Sequence, residues 1–110
     1  MEQGKKKVYI SAPISGYDLD ERKDTFMEME VRLKGFGFDV FNPLGIEHHV
    51  DGLSTYDYMR KDLEELIKCD AILFLDGWNR SAGCHTELTV AVACGIDVWF
   101  DNIDNITYKQ

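Results

Sequence analysis

Asp70-Ala71-Ile72-Leu73-Phe74-Leu75 is an unbroken apolar run behind one aspartate, closed by Asp76-Gly77. A strand with one wet face alternates apolar and polar residues, whereas a continuous run is expected where both faces are covered. The segment therefore predicts a central parallel strand with helices on both sides. Just upstream, Ser54 reads as an N-cap with Asp57 in the capping-box position, opening a helix to about Lys68 with Tyr58, Leu63, Leu66 and Ile67 inward. Downstream, Gly77-Trp78-Asn79-Arg80-Ser81 reads as a loop. A helix then runs from about Gly83 to Cys94 and stops at Gly95, and Ile96-Asp97-Val98-Trp99-Phe100 is a further strand.

The same alternation continues towards the N-terminus. Val8-Tyr9-Ile10 is a short strand that stops at the small-residue loop Ser11-Ala12-Pro13-Ile14-Ser15-Gly16. From Glu21 to about Lys34 the pattern is helical, with Phe26, Met29, Val31 and Leu33 as the apolar face and Gly35 or Gly37 as C-cap. Phe38-Asp39-Val40-Phe41 is a second strand, ended by Asn42-Pro43, and residues 44–53 have no period and read as a loop. The polar tail from Asp101 to Gln110 either packs as a short helix or reaches a neighbouring subunit. Four rounds of strand and helix with short connections imply right-handed βαβ crossovers. The expected architecture is one α/β domain over residues 1–110, a three-layer sandwich with a four- to five-stranded parallel sheet. Ligands in such sheets bind beyond the carboxyl ends of the strands. That places the loops after Ile10, Phe41 and Leu75 on one functional rim.

Composition narrows the partners. The 110 residues are 45% hydrophobic and 12% aromatic, enough for a proper core in one domain, and carry a net charge of −8. The one basic run, Lys5-Lys6-Lys7, leads straight into the first strand, which argues against nucleic acid or an anionic membrane as partner. No stretch is long and apolar enough to span a bilayer, and no signal-like segment opens the chain. Cys69, Cys84 and Cys94 are odd in number without CxxC spacing, which fits reduced thiols in the cytoplasm. A domain this small has much wet surface, and a homodimer or larger homo-oligomer is expected.

The candidate chemistry lies along the rim. Glu87 falls about one turn into the helix after the central strand, where free N–H groups favour a carboxylate or phosphate. It could equally serve only its own helix, for roughly 0.3–1 kcal/mol. Asp62, between Lys61 and Leu63, could be a solvated surface acid. It could also pair with Glu87 in glycosidic chemistry, where one carboxyl is ionised and the other protonated. The Ser11–Gly16 loop could cup an anion through hydroxyls and amides or be an ordinary turn; GxxxxGK[ST] and GxGxxG are absent. Trp78 and Tyr9 could stack on a base, and Tyr9 could as well be core. The adjacent pairs His48-His49 and Cys84-His85 suit no single metal ion, so neither metal nor cofactor is expected.

Three segments in order carry a family resemblance: Val8-Tyr9-Ile10-Ser11-Ala12-Pro13-Ile14-Ser15-Gly16, then Arg60-Lys61-Asp62-Leu63, then Ser81-Ala82-Gly83 leading to Glu87-Leu88 and Ala91. Together they resemble the nucleoside 2-deoxyribosyltransferase superfamily, which includes 2′-deoxynucleoside 5′-phosphate N-hydrolases, over roughly residues 7 to 100. The resemblance implies a flavodoxin-like fold and double displacement. Glu87 would be the nucleophile on C1′, Asp62 the acid for the departing base, and Tyr9 the group orienting the nucleophile. Ser81 would bind a 5′-phosphate, with Ser11, Ala12, Ile14, Ser15, Gly16, Gly83 and Trp78 lining the substrate. Ser15 stands where the N-hydrolases have a loop arginine, a gap that Arg80 could fill. A neighbouring subunit's tail asparagine completes the transferase site, and Asn102 and Asn105 are candidates here. The resemblance thus implies cleavage or transfer of an N-glycosidic bond in a nucleotide or nucleoside. A non-catalytic nucleotide-binding or sensing module on the same fold is the alternative.

Overall fold

A computed structural model describes residues 4–101 and the backbone of 106–108. The elements run β1 (Lys7–Ser11), α1 (Leu19–Gly35), β2 (Asp39–Phe41), α2 (Thr55–Leu66), β3 (Ala71–Phe74), a 3-10 turn (Trp78–Arg80), α3 (Ala82–Ala93), β4 (Asp97–Asp101) and β5 (Ile106–Tyr108). The sheet order is β2-β1-β3-β4-β5. The first four strands are parallel, and β5 lies antiparallel on β4. The four parallel strands are those expected, and β5 adds a fifth, antiparallel strand in the tail, where a short helix is one of the two expectations. A parallel crossover needs a dozen or so residues, far more than separate β4 from β5, so the pairing is antiparallel.

Alternation along β1 sorts the two cores. Val8 and Ile10 pack with Leu73 of β3 against Phe26, Met29 and Leu33 of α1. Tyr9 points to the opposite face, where Phe41, Ile72, Phe74 and Val98 meet Leu66 of α2 and Cys84 and Ala91 of α3. All four β3 residues are buried, as a strand covered on both faces requires. Two residues expected inside are outside: Val31 is 61% exposed and Ile67 is 56% exposed. Phe26, Met29 and Leu33 follow helical spacing, and Val31 lies 200° round the helix from Met29. Ile67 stands at the C-cap, where α2 has ended.

The helix starts are set by side-chain caps. Asp18 accepts from the Asp20 amide at 2.9 Å and opens α1 two residues earlier than the apolar pattern suggests. Ser54 accepts from the Asp57 amide at 3.1 Å, as expected, while the Asp57 carboxylate turns to Arg60 at 3.5 Å. Ser81 caps α3 by accepting from the Cys84 amide at 3.2 Å. Among the described residues no helix is long and apolar enough to cross a membrane.

The switch point of the strand order lies between β1 and β3, and the loops after these strands touch there. The Leu75 amide donates to the Ser11 carbonyl at 2.9 Å. A Cβ on Gly77, whose φ is +90°, would come within 3.2 Å of Pro13 Cγ. Gly77→Ala is therefore expected to cost about 1–2 kcal/mol from backbone strain alone, read as a lower urea midpoint at unchanged slope.

Candidate active site

Glu87 is built into the second core rather than displayed at a helix start. Cys84, Glu87 and Ala91 form the buried stripe of α3, and Glu87 is 8% exposed. Tyr9 and Ser11, two apart on β1, project to the same face of the sheet and reach it. Tyr9 Oη donates to Glu87 Oε2 at 2.6 Å, and Ser11 Oγ donates to Oε1 at 2.5 Å. Ser11 Oγ also lies 3.3 Å from Cys84 Sγ. Each carboxylate oxygen thus holds one charge-assisted bond and keeps a lone pair free.

The electrostatics follow from this packing. Burial pushes the Glu87 carboxyl above the usual range, while the Ser11 and Tyr9 hydroxyls pull it back by favouring the charged form. Burial, then the charges of Glu87 and Asp62, hold the Tyr9 phenol well above its ordinary value, so it stays a donor. Asp62, half-buried on α2, is raised to about 7, first by burial and then by the Glu87 charge. Lys61 and His49 oppose that rise. Tyr9, Asp62 and Glu87 therefore form one coupled set drawn from β1, α2 and α3. Two acids compete for protons, and the hydroxyl pair favours the charge on Glu87. Tyr9→Phe is expected to raise the Glu87 carboxyl further and to cut any Glu87-dependent turnover about 10- to 100-fold. This follows from roughly 1.5–3 kcal/mol for a hydrogen bond to a charged group; kcat/KM measured across pH tests it.

The remaining expected site residues separate into groups. Ser81 uses an acceptor lone pair in capping α3, leaving its O–H to donate, and Gly83 lies two residues on, with Met59 Cε 3.5 Å from where a Cβ would sit. Ala12 is buried in the α1-side core, and Ile14, partly buried, packs against that core. Ser15 and Gly16 are exposed on the loop. Trp78 meets Phe74, Phe100 and His85 at centroid distances of 5.3, 5.0 and 5.4 Å, a ring cluster of its own. Asn102 and Asn105 lie outside the described residues.

Two roles had no signal in isolation, although Ser11 itself is among the residues expected to line the substrate. Ser11 as a direct partner of Glu87 follows from its period-2 relation to Tyr9. His49, which acts on Asp62 from the 44–53 loop, has no local signature. Among the described residues no group of three potential ligands could hold a metal ion, and the three cysteines are free thiols.

The fold is the one seen in solved 2-deoxyribosyltransferases and an N-glycosidase. The chain superposes on the 2-desoxiribosyltransferase from Leishmania mexicana with a TM-score of 0.68 at 19% identity, over 88% of this chain and 64% of that one. It therefore spans somewhat less than two-thirds of that enzyme's length. For the 2-deoxyribosyltransferase of Bacillus psychrosaccharolyticus the TM-score is 0.65 at 21% identity, over 87% and 72% of the two chains. For the CMP N-glycosidase BcmB of Clostridium botulinum it is 0.62 at 20% identity, over 88% and 69%. More specifically, residues 6–100 match the family described as a domain of unknown function, DUF4406, and the chain belongs to that family. No curated protein matches the chain.

Proposed function

We propose that this protein cleaves or transfers the N-glycosidic bond of a (deoxy)nucleoside 5′-monophosphate or nucleoside through a glycosyl-enzyme intermediate on Glu87. The observation that carries this reading is the buried Glu87 carboxylate, bonded at both oxygens by Tyr9 and Ser11 and coupled to an Asp62 carboxyl raised to about 7. A free lone pair of Glu87 attacks C1′ as the C1′–N bond breaks, and Asp62 gives its proton to the departing base. Water or a second base then attacks C1′. With water, the Asp62 carboxylate takes the proton, Glu87 is released, and Asp62 is again protonated. Tyr9 and Ser11 orient the nucleophile and stabilise its charge before attack and again on release. This is the two-carboxyl logic of retaining glycosidases.

A phosphorylated substrate is the favoured one. In a chain of net charge −8, Arg22 and Arg80 have no carboxylate partner among the described residues. Arg22, in the first turn of α1, and Arg80, at the end of the 3-10 turn, flank the Gly77 region through Tyr17. Arg80 Nη2 is 3.6 Å from that glycine's Cβ position, with Tyr17 Oη at 3.5 Å from it, and the Arg22 guanidinium sits over the Tyr17 ring at 4.7 Å. Arg22 Nε is buried without a hydrogen-bond partner. These guanidinium groups, with the Ser81 hydroxyl, are the donors that could take the place of the family's loop arginine.

The test is incubation with deoxynucleoside and ribonucleoside monophosphates and their unphosphorylated counterparts, with free base measured by chromatography. Base release is expected, faster from the monophosphates. Binding by calorimetry without base release would replace this reading with the non-catalytic nucleotide sensor. Including a second free base as acceptor separates transfer from hydrolysis, and comparing activity across protein concentration tests a shared site in a homo-oligomer.

A further inference from the structure

The 44–53 loop has no helix or strand of its own, yet it is fastened to α2 at three points. Tyr58 Oη donates to the Val50 carbonyl at 2.5 Å, and Lys61 Nζ donates to the His48 carbonyl. The His49 ring lies parallel to the Tyr58 ring, with centroids 5.8 Å apart. At the loop's inner edge the His48 ring packs on Phe41, which stacks on Tyr9. Tyr58, Lys61 and Asp62 stand at i, i+3 and i+4, so the residues that fasten the loop share a helix face with the acid.

We propose that Tyr58 and Lys61 are positioning residues that clamp the 48–50 segment onto α2 and thereby keep water from Asp62. The proposal rests on Asp62 being the acid of the reaction above, but the clamp exists in the free protein and is measurable there. Burial is the largest influence raising Asp62. The charged and titratable groups facing it are Glu87 from α3, Tyr9 from β1, Lys61 beside it on α2 and His49 from the loop. His49 also meets Asp51 at 2.9 Å, and that Asp51 carboxylate is exposed.

Tyr58→Phe decides the matter because it removes one hydroxyl and changes no charge near Asp62. Admitting water favours the ionised carboxyl, so the Asp62 midpoint, read by carboxyl carbon NMR against pH, is expected to fall by about one unit. Amide hydrogen exchange over residues 48–52 is expected to speed up about tenfold in Tyr58→Phe and in Lys61→Met, and to stay near wild type in Lys61→Arg. An unchanged midpoint with unchanged exchange in Tyr58→Phe would overturn the clamp, as would faster exchange with no movement of the midpoint. Neither readout needs substrate, so a failure here is distinguishable from a failure of base release. If base is released, its alkaline limb should shift down with the midpoint in Tyr58→Phe while KM holds.

Discussion

Glu87→Gln is expected to lower base release by at least about a thousandfold while leaving the fold intact. An amide cannot attack C1′, and loss of a nucleophile removes the covalent route outright. The substitution is otherwise mild. Gln has the same shape, its carbonyl accepts from one hydroxyl, and the other hydroxyl can rotate to accept from the amide N–H. The cost of burying a carboxylate also disappears, so the melting temperature at neutral pH should hold or rise. Quenched mass spectrometry of the wild type should show a sugar phosphate, or a sugar, attached to the peptide carrying Glu87, and Glu87→Gln should show none. Wild-type rates in Glu87→Gln would remove Glu87 from the nucleophile's role, whatever else the protein binds.

Asp62→Asn should move activity and stability in opposite directions. In the proposed mechanism base release needs a protonated Asp62, so wild-type kcat/KM is expected to fall as pH rises through about 7, the value this half-buried acid takes beside Glu87. On the acid side it should fall as Glu87 gains a proton. Asp62→Asn cannot deliver a proton to the base, and its rate should drop on the order of a hundredfold or more for a purine or pyrimidine that needs assistance. For stability, the folded Asp62 holds its proton more tightly than the unfolded chain, whose ordinary value is 3.8. Between about 4 and 7 the folded state binds more protons, so the wild type loses stability as pH rises across that window. Asp62→Asn escapes that loss. It should melt higher than wild type at pH 8, and the gap should close at pH 3.5. Melting curves at the two pH values check this; a gap of the same size at both would mean that Asp62 is not raised.

Opposite trends of this kind are a physical mark of a working site. The second core holds an acid and a phenol, with a second acid half-buried on α2, where apolar side chains would give more stability. Tyr9 and Glu87 are buried and hydrogen-bonded to each other before any ligand arrives. That arrangement is what electrostatic preorganisation asks for.

Much of the fold was legible along the chain because the period of apolar residues reports which faces are covered. The unbroken 71–75 run means a strand between two layers, and Phe26, Met29 and Leu33 mean a helix with one buried stripe. Ser54, Gly77 and Gly95 punctuate as their chemistry dictates. Val31 and Ile67 were misplaced because hydrophobicity alone does not say where a helix is cut or which way its stripe faces. The antiparallel turn into β5 was not legible, since three residues of weak pattern do not encode direction.

For Glu87 the division is sharper. By itself the sequence determined a carboxylate near the start of the helix after the central strand, with Tyr9 and Ser11 on one face of the first strand and Asp62 on another helix. Only the tertiary structure decided that 76 to 78 residues of separation close to 2.5 and 2.6 Å, that Asp62 shares their field, and that the loop carrying His48 and His49 is fastened beside it. The reason is physical. Periodicity is a property of neighbouring residues, whereas burial, hydrogen-bond geometry and the protonation of an acid depend on everything folded around it.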